Sequence, residues 1–213
     1  MSMLVAVMQA ITADFDAQAA RVWQGACKVG VVQAEAIPEI GAALARAADV
    51  AGCTAHAVRL DGLAAAFDAG LAVINVETSR AFGHLLETGK LGVDLDTRLR
   101  AAAKTTAAQL DAAQQIRRQF TAAVDHALDN VDVLILPTLP ALPITLDEAR
   151  GGASVIAMSS LIRPFNLSGH PALSLPLPIA GSPLKAGLQI VGRKGQDEQV
   201  CAIAARFEAA LAA

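Results

Sequence analysis

The sequence predicts an α/β fold in which helices pack closely on a sheet, and three observations predict it. Residues 28–60 alternate strand, helix and strand. Residues 131–137, VDVLILP, form a near-continuous apolar run of strand length. The apolar mass, 54% of 213 residues, is chiefly Ala, Leu, Val and Ile, with 3% aromatics, no Tyr and the single Trp23. Small aliphatic side chains let helices approach a sheet, and a chain of this length can bury a sizeable core. No repeat, low-complexity tract or linker divides it, so residues 1–213 are expected to form one domain.

Each element follows from its residues. KVGVVQA, from Lys28, is short and β-branched, which suits a strand. The Ala/Leu stretch after it is a helix opened by Pro38, whose missing N–H costs nothing at an early helical position, and closed at Gly52. TAHAVRL is the second strand of the βαβ unit. From Asp61 to Leu86 apolar positions recur three and four apart, which predicts a helix with one well-buried face, ended by Gly89 and Gly92. Thr97 to about Asp129 contains no Gly or Pro and is expected to be one long helix with Asp94 or Asp96 near its N-cap.

VDVLILP is then a central strand buried on both faces, ended by Pro137, Pro140 and Pro143. Thr145 to Gly152 reads as a polar loop, and SVIAMSSLIRPFN as a short helix broken before Pro164. PALSLPLPI and KAGLQIVGR are two strands joined by AGSP. Asp197 to Ala212 is an amphipathic helix.

Composition excludes several functions. Seventeen basic residues stand against 20 acidic ones, for a net charge of -3, without a Lys/Arg run, so no footprint for nucleic acid or an anionic membrane is present. No stretch approaches the roughly 20 apolar residues of a membrane span, and the apolar start has no cationic leader region. Cys27, Cys53 and Cys201 are odd in number and widely spaced. They read as packing residues in a reducing, cytoplasmic setting, with neither disulfides nor a zinc site. The βαβ unit has no G-x-G-x-x-G, so no dinucleotide is expected.

The second half of the chain carries a specific pattern. Asp132, Leu134, Pro137 and Thr138 come first. Pro164, Asn166, Gly169, Pro171, Ala172, Ser174 and Pro176 follow, then Gly187, Gln189, Gly192 and Asp197. In order and spacing this is similar to the C-terminal half of amidase-signature hydrolases, and Arg98, Ala113 and Arg117 resemble positions of the family's long helix. The resemblance implies a partial amidase-signature fold, a mixed β-sheet flanked by helices, and hydrolysis of a carboxamide C–N bond. It also implies that residues just before the Asn166 turn face the substrate channel, which makes Ser159, Ile162 and Phe165 the candidate substrate-binding positions. Asn166, Gly169 and Pro171 are taken as structural, with the Asn166 amide satisfying backbone groups and Gly169 at positive φ.

The family's chemistry uses a Lys, a Ser on a cis peptide and a nucleophilic Ser in a Gly/Ser-rich stretch of the N-terminal half. No stretch here matches them, and GGAS at residues 151–154 lacks the run and lies in the wrong half. No catalytic residue, metal ligand or cofactor is therefore assigned. Ser168 and His170 lie two apart in a turn without a carboxylate nearby in sequence, which argues against a nucleophile pair. His56, His84 and His126 lack a second His at ligand spacing. Asp125 and Asp129 read as solvated charge at a helix end, and Arg117 and Arg118 as helix-surface cations paired with neighbouring acids. The expected function is the C-terminal portion of an amidase, inactive without its catalytic half. A non-catalytic interaction module with the same half-fold is the alternative. The expected partners are a small amide once the site is completed, and a complementary chain or a second copy.

Overall fold

The computed structural model describes residues 1–153 and 155–212. The chain opens with helix α1 (Ser2–Ile11). The βαβ unit follows as β1 (Lys28–Val32), α2 (Pro38–Val50) and β2 (Thr54–Val58). Its strands are parallel, in register from Lys28↔Thr54 to Val32↔Val58; α2 supplies the crossover that parallel pairing needs. Helix α3 (Leu63–Phe82) comes next, as the apolar spacing predicts.

The single long helix expected after it is two, α4 (Val93–Ala102) and α5 (Ala107–Ala127). The break is made by Thr106, whose side chain accepts from the Gln109 N–H while the Gln109 side chain accepts from the Thr106 N–H. This capping box starts a new helix without Gly or Pro. Strand β3 (Val133–Pro137) is buried at all five positions. The segment read as a polar loop holds a short helix, α6 (Leu146–Arg150), opened by the same device at Thr145 and Glu148. Pro164 opens the next helix, α7 (Arg163–Ser168), where it was expected to break one, since proline fits the first turn. Hairpin strands β4 (Ala172–Pro178) and β5 (Lys185–Val191) and helix α8 (Asp197–Ala212) complete the chain.

The sheet has five strands in the order β2-β1-β3-β5-β4. It is mixed, because β1 runs parallel to both β2 and β3 while β5 is antiparallel to β3 and β4. Helices cover both faces. Val133 and Ile135 of β3 point to a core with Ile40 and Leu44 of α2 and Ile203 and Phe207 of α8. Leu134 and Leu136 point the other way, to Val73 of α3, Phe120 and Val124 of α5 and Phe165 of α7. The period-two alternation of a strand thus feeds two apolar layers from one apolar run.

Candidate functional site

The signature residues converge where β3, β5 and β4 lie side by side. The Thr138 N–H donates to the Gly187 carbonyl (2.8 Å), and Thr138 Oγ1 is 2.6 Å from Ser174 Oγ on β4. The hydroxyl pair crosses over β5 because residue 187 has no side chain: a Cβ there would lie 2.6 Å from Thr138 Cβ and 2.9 Å from Ser174 Oγ. Two residues along β5, Gln189 is opposite both Leu136 and Ser174. Its buried Nε2 donates to the Leu161 carbonyl at 2.9 Å. The sheet therefore holds the segment between α6 and α7 through one buried amide.

That segment carries the predicted lining residues. Ser159 ends a 3-10 turn (Ile156–Ser159), donates to the Ile156 carbonyl (2.9 Å) and accepts from Arg163 Nη2 (3.1 Å). Ile162, half-buried, flanks the start of α7. Phe165 is buried, its ring tilted at 59° on Phe120 with centroids 5.9 Å apart. Arg163 locks the segment to α3: its guanidinium lies 4.0 Å over the Phe67 ring and donates to the Phe67 carbonyl at 3.3 Å. Glu77, Arg117, Arg163 and Asn166 share the lining of an open depression of about 260 Å³ beside it. Arg117, expected to pair with an acid of its own helix, forms no ion pair among the described residues.

In the turn itself, Gly169 caps α7 in the left-handed region (φ 74°), with its N–H on the Phe165 carbonyl at 2.9 Å. The Pro171 carbonyl accepts from the Gly192 N–H (3.0 Å), which joins the start of β4 to the end of β5. The Asn166 side chain is exposed, so it is Gly169 that closes the turn.

One expectation is overturned here. Ser168 and His170 do meet, with Oγ 2.9 Å from Nδ1, and Asp125 of α5 lies 3.0 Å from His170 Nε2. The left-handed residue between them turns both side chains the same way. The carboxylate arrives from a residue 45 positions earlier, so proximity in sequence gave no sign of it. Asp125 is thus bonded rather than merely solvated, while His126 and Asp129 pair with each other at 2.9 Å on the surface. The trio has the residue types of a nucleophile triad. Ser168, however, is 3% exposed and the His170 side chain 0%, so Oγ offers no face to a substrate carbonyl. What the trio does is tie α7 and the start of β4 to α5. Burial lowers the His170 pKa, against the opposing pull of Asp125, and Ser168 Oγ also donates to the Phe165 carbonyl at 3.2 Å, which fastens the trio to α7.

Among the described residues no three His, Cys, Asp or Glu side chains are grouped to hold a metal ion, and no helix is long and apolar enough to cross a membrane. Ser154 of the GGAS stretch lies outside the described residues.

The amidase family model matches residues 11–201. The chain belongs to the amidase family. Over 84 residues, 38% of this chain and 16% of the relative, it is 37% identical to a component of the mitochondrial glutamyl-tRNA(Gln) amidotransferase from Fusarium vanettenii. To an enantioselective amidase from Rhodococcus rhodochrous it is 39% identical over 108 residues, 47% of this chain and 20% of that enzyme. The crystal structure of an amidase superposes with a TM-score of 0.76 at 22% identity, covering 89% of this chain and 47% of that one. The family's fold is therefore shared over most of this chain, and this chain spans less than half the length of that amidase. Sequence reasoning found the signature residues but not the capping box at Thr106, although T-x-x-Q was there to be read, nor the Gln189 tether.

Proposed function

We propose that residues 1–213, as one α/β domain, are the C-terminal portion of an amidase-signature amidohydrolase acting on a carboxamide C–N bond. Their role is to complete the mixed sheet and wall the amide channel with the segment carrying Ser159, Ile162 and Phe165. The Lys and the Gly/Ser-rich serine segment come from an N-terminal portion, in the same polypeptide or a separate one, and without it the 213 residues are inactive. The observation that carries this reading is the Thr138–Ser174–Gly187–Gln189 cluster: the signature residues join β3, β5 and β4, and Gln189 ties the 156–162 segment to that sheet through the Leu161 carbonyl. Amide substrates are supported by the names of the relatives, an amidase and part of an amidotransferase. We place the protein in the cytoplasm on its cysteine pattern, with neither nucleic acid nor membrane as partner on its charge.

Co-expression with an N-terminal amidase portion carrying those residues tests this. A stable complex that hydrolyses simple aliphatic or aryl amides, with neither piece active alone, is the expected result. Amide turnover by the 213 residues alone that survives repurification and disappears in Ser168→Ala overturns it. A non-catalytic interaction module is the second reading, favoured by the apolar stripe Met3, Val7 and Ile11 left exposed along α1; a complex without amide turnover selects it.

A further inference from the structure

Cys27 immediately precedes β1 and Cys53 immediately precedes β2. Parallel pairing begins one residue later, at Lys28↔Thr54, and the Thr54 N–H donates to the Cys27 carbonyl at 2.7 Å. Adjacent strands run about 4.8 Å apart and paired residues project to one face, so the two cysteines stand side by side. Both pack in the core beneath α2 and α8, Cys27 buried and Cys53 partly open to solvent. A disulfide spans Cα separations of about 4.4–6.8 Å, which this placement satisfies.

The surroundings divide the labour between the two thiols. Arg206 of α8 donates to the carbonyls of Ala51 (2.7 Å), Gly52 (2.8 Å) and Gly25 (3.2 Å), which fixes its charge beside the pair. The Cys53 pKa is lowered, first by hydrogen bonding from Cys27 and then, against burial, by Arg206. The Cys27 pKa is raised, first by that same bond to Cys53 and then by burial. Asp132 opposes ionisation of both. The half-buried member is thus the one that ionises more readily and the buried member the one that keeps its proton, the division between an attacking and a resolving thiol.

We propose that Cys27 and Cys53 form a redox-active dithiol that closes to a reversible disulfide by exchange with a small-molecule disulfide. The Cys53 thiolate attacks one sulfur of the reagent, breaking its S–S bond and releasing one thiolate. Cys27, no longer facing a thiolate, gives up its proton, attacks Cys53 Sγ in the mixed disulfide and expels the second thiol. The protein loses two hydrogens, and the reagent is reduced to two thiols. The bond ties the head of β1 to the head of β2 and encloses α2. Cys201 takes no part, since it is buried in a separate cluster with Val5 and Phe15.

Oxidised glutathione is the probe. After incubation, acid quench and alkylation, peptide mapping of the full chain should show Cys27 linked to Cys53 and Cys201 alkylated, with dithiothreitol reversing the link. Cys27→Ser should instead accumulate a glutathione adduct on Cys53. Three thiols that all remain alkylatable, an adduct on Cys53 that persists in the unmutated chain, or a link that includes Cys201 would each overturn the proposal. Mapping of the unmutated chain decides the matter if Cys27→Ser does not fold.

Discussion

His170 sits between Ser168 and Asp125 with its side chain sealed from water, and burial, with a smaller effect from Lys194, pushes its pKa down despite Asp125. Between that lowered value and the ordinary value of about 6.5, the unfolded chain binds a proton that the folded chain does not, so stability rises with pH across this window. The contribution is complete above the ordinary histidine value and is lost as pH falls through the folded one. Urea melts between pH 7.5 and 5.5 should show midpoints falling toward acid, and a flatter profile in His170→Gln; equal slopes would remove His170 from the account. Gln189 makes a different test. Gln189→Leu keeps the volume but strands the Leu161 carbonyl, a cost of about 1–3 kcal/mol, measured as a lower urea midpoint. Once the site is complete, loss of amide turnover should exceed what instability explains, because the 156–162 segment loses its tether. Both residues explain why the site was only half legible beforehand. Gly187 and Gln189 were visible as pattern, but the contacts they serve span 36 residues from Thr138 to Ser174 and 28 from Leu161 to Gln189. A bond across such distances leaves no local trace.

At the scale of elements, β3 carries both cores. Ile135 lies fully buried against α2 and α8, and Ile135→Asp places a charge where no partner exists. The cost of several kcal/mol is comparable to a domain's whole stability of about 5–15 kcal/mol. Loss of the cooperative thermal transition is expected, and a variant that still melts sharply would make β3 peripheral. Helix α5 depends on its cap. Thr106→Ala removes the hydroxyl that accepts from Gln109 and should cost about 1 kcal/mol, with faster amide exchange confined to the first turn. The sheet was the legible part, since β1, β2, β3, β4 and β5 all announce themselves by β-branched or continuous apolar runs between turn residues. Helix ends were less so. Lys104 to Ala107 contains no breaker, and the polar residues around Thr145 read equally as loop, because a capping box competes with apolar periodicity. Pro164 likewise fits either the end or the start of a helix, and only the packing of Phe165 on Phe120 selects the start.

The whole molecule exposes more surface than its mass requires. A compact monomer of 21.8 kDa has an accessible area of about 9,300 Å² by the usual scaling, and this chain has 11972 Å². Part of the excess is apolar and ordered: Met3, Val7 and Ile11, spaced four apart on α1, are 81%, 48% and 73% exposed. Strand β2, at the sheet edge, is exposed at four of its five positions, and an open edge invites pairing. A row of exposed apolar side chains is a surface on which association starts, and a net charge of -3 offers little repulsion to oppose it. The 213 residues alone are therefore expected to bind a hydrophobic dye and to self-associate at about tens of micromolar, where moderate interfaces assemble. Adding the N-terminal amidase portion proposed above should suppress both effects. Met3→Glu with Ile11→Lys puts charges on side chains that pack little in the fold, so it should weaken association in sedimentation while leaving the melting temperature nearly unchanged. A compact monomer that ignores the dye would mean that the α1 stripe and the β2 edge are covered by nothing and need no cover, and the reading of this surface as the seat of a complementary half would go with it.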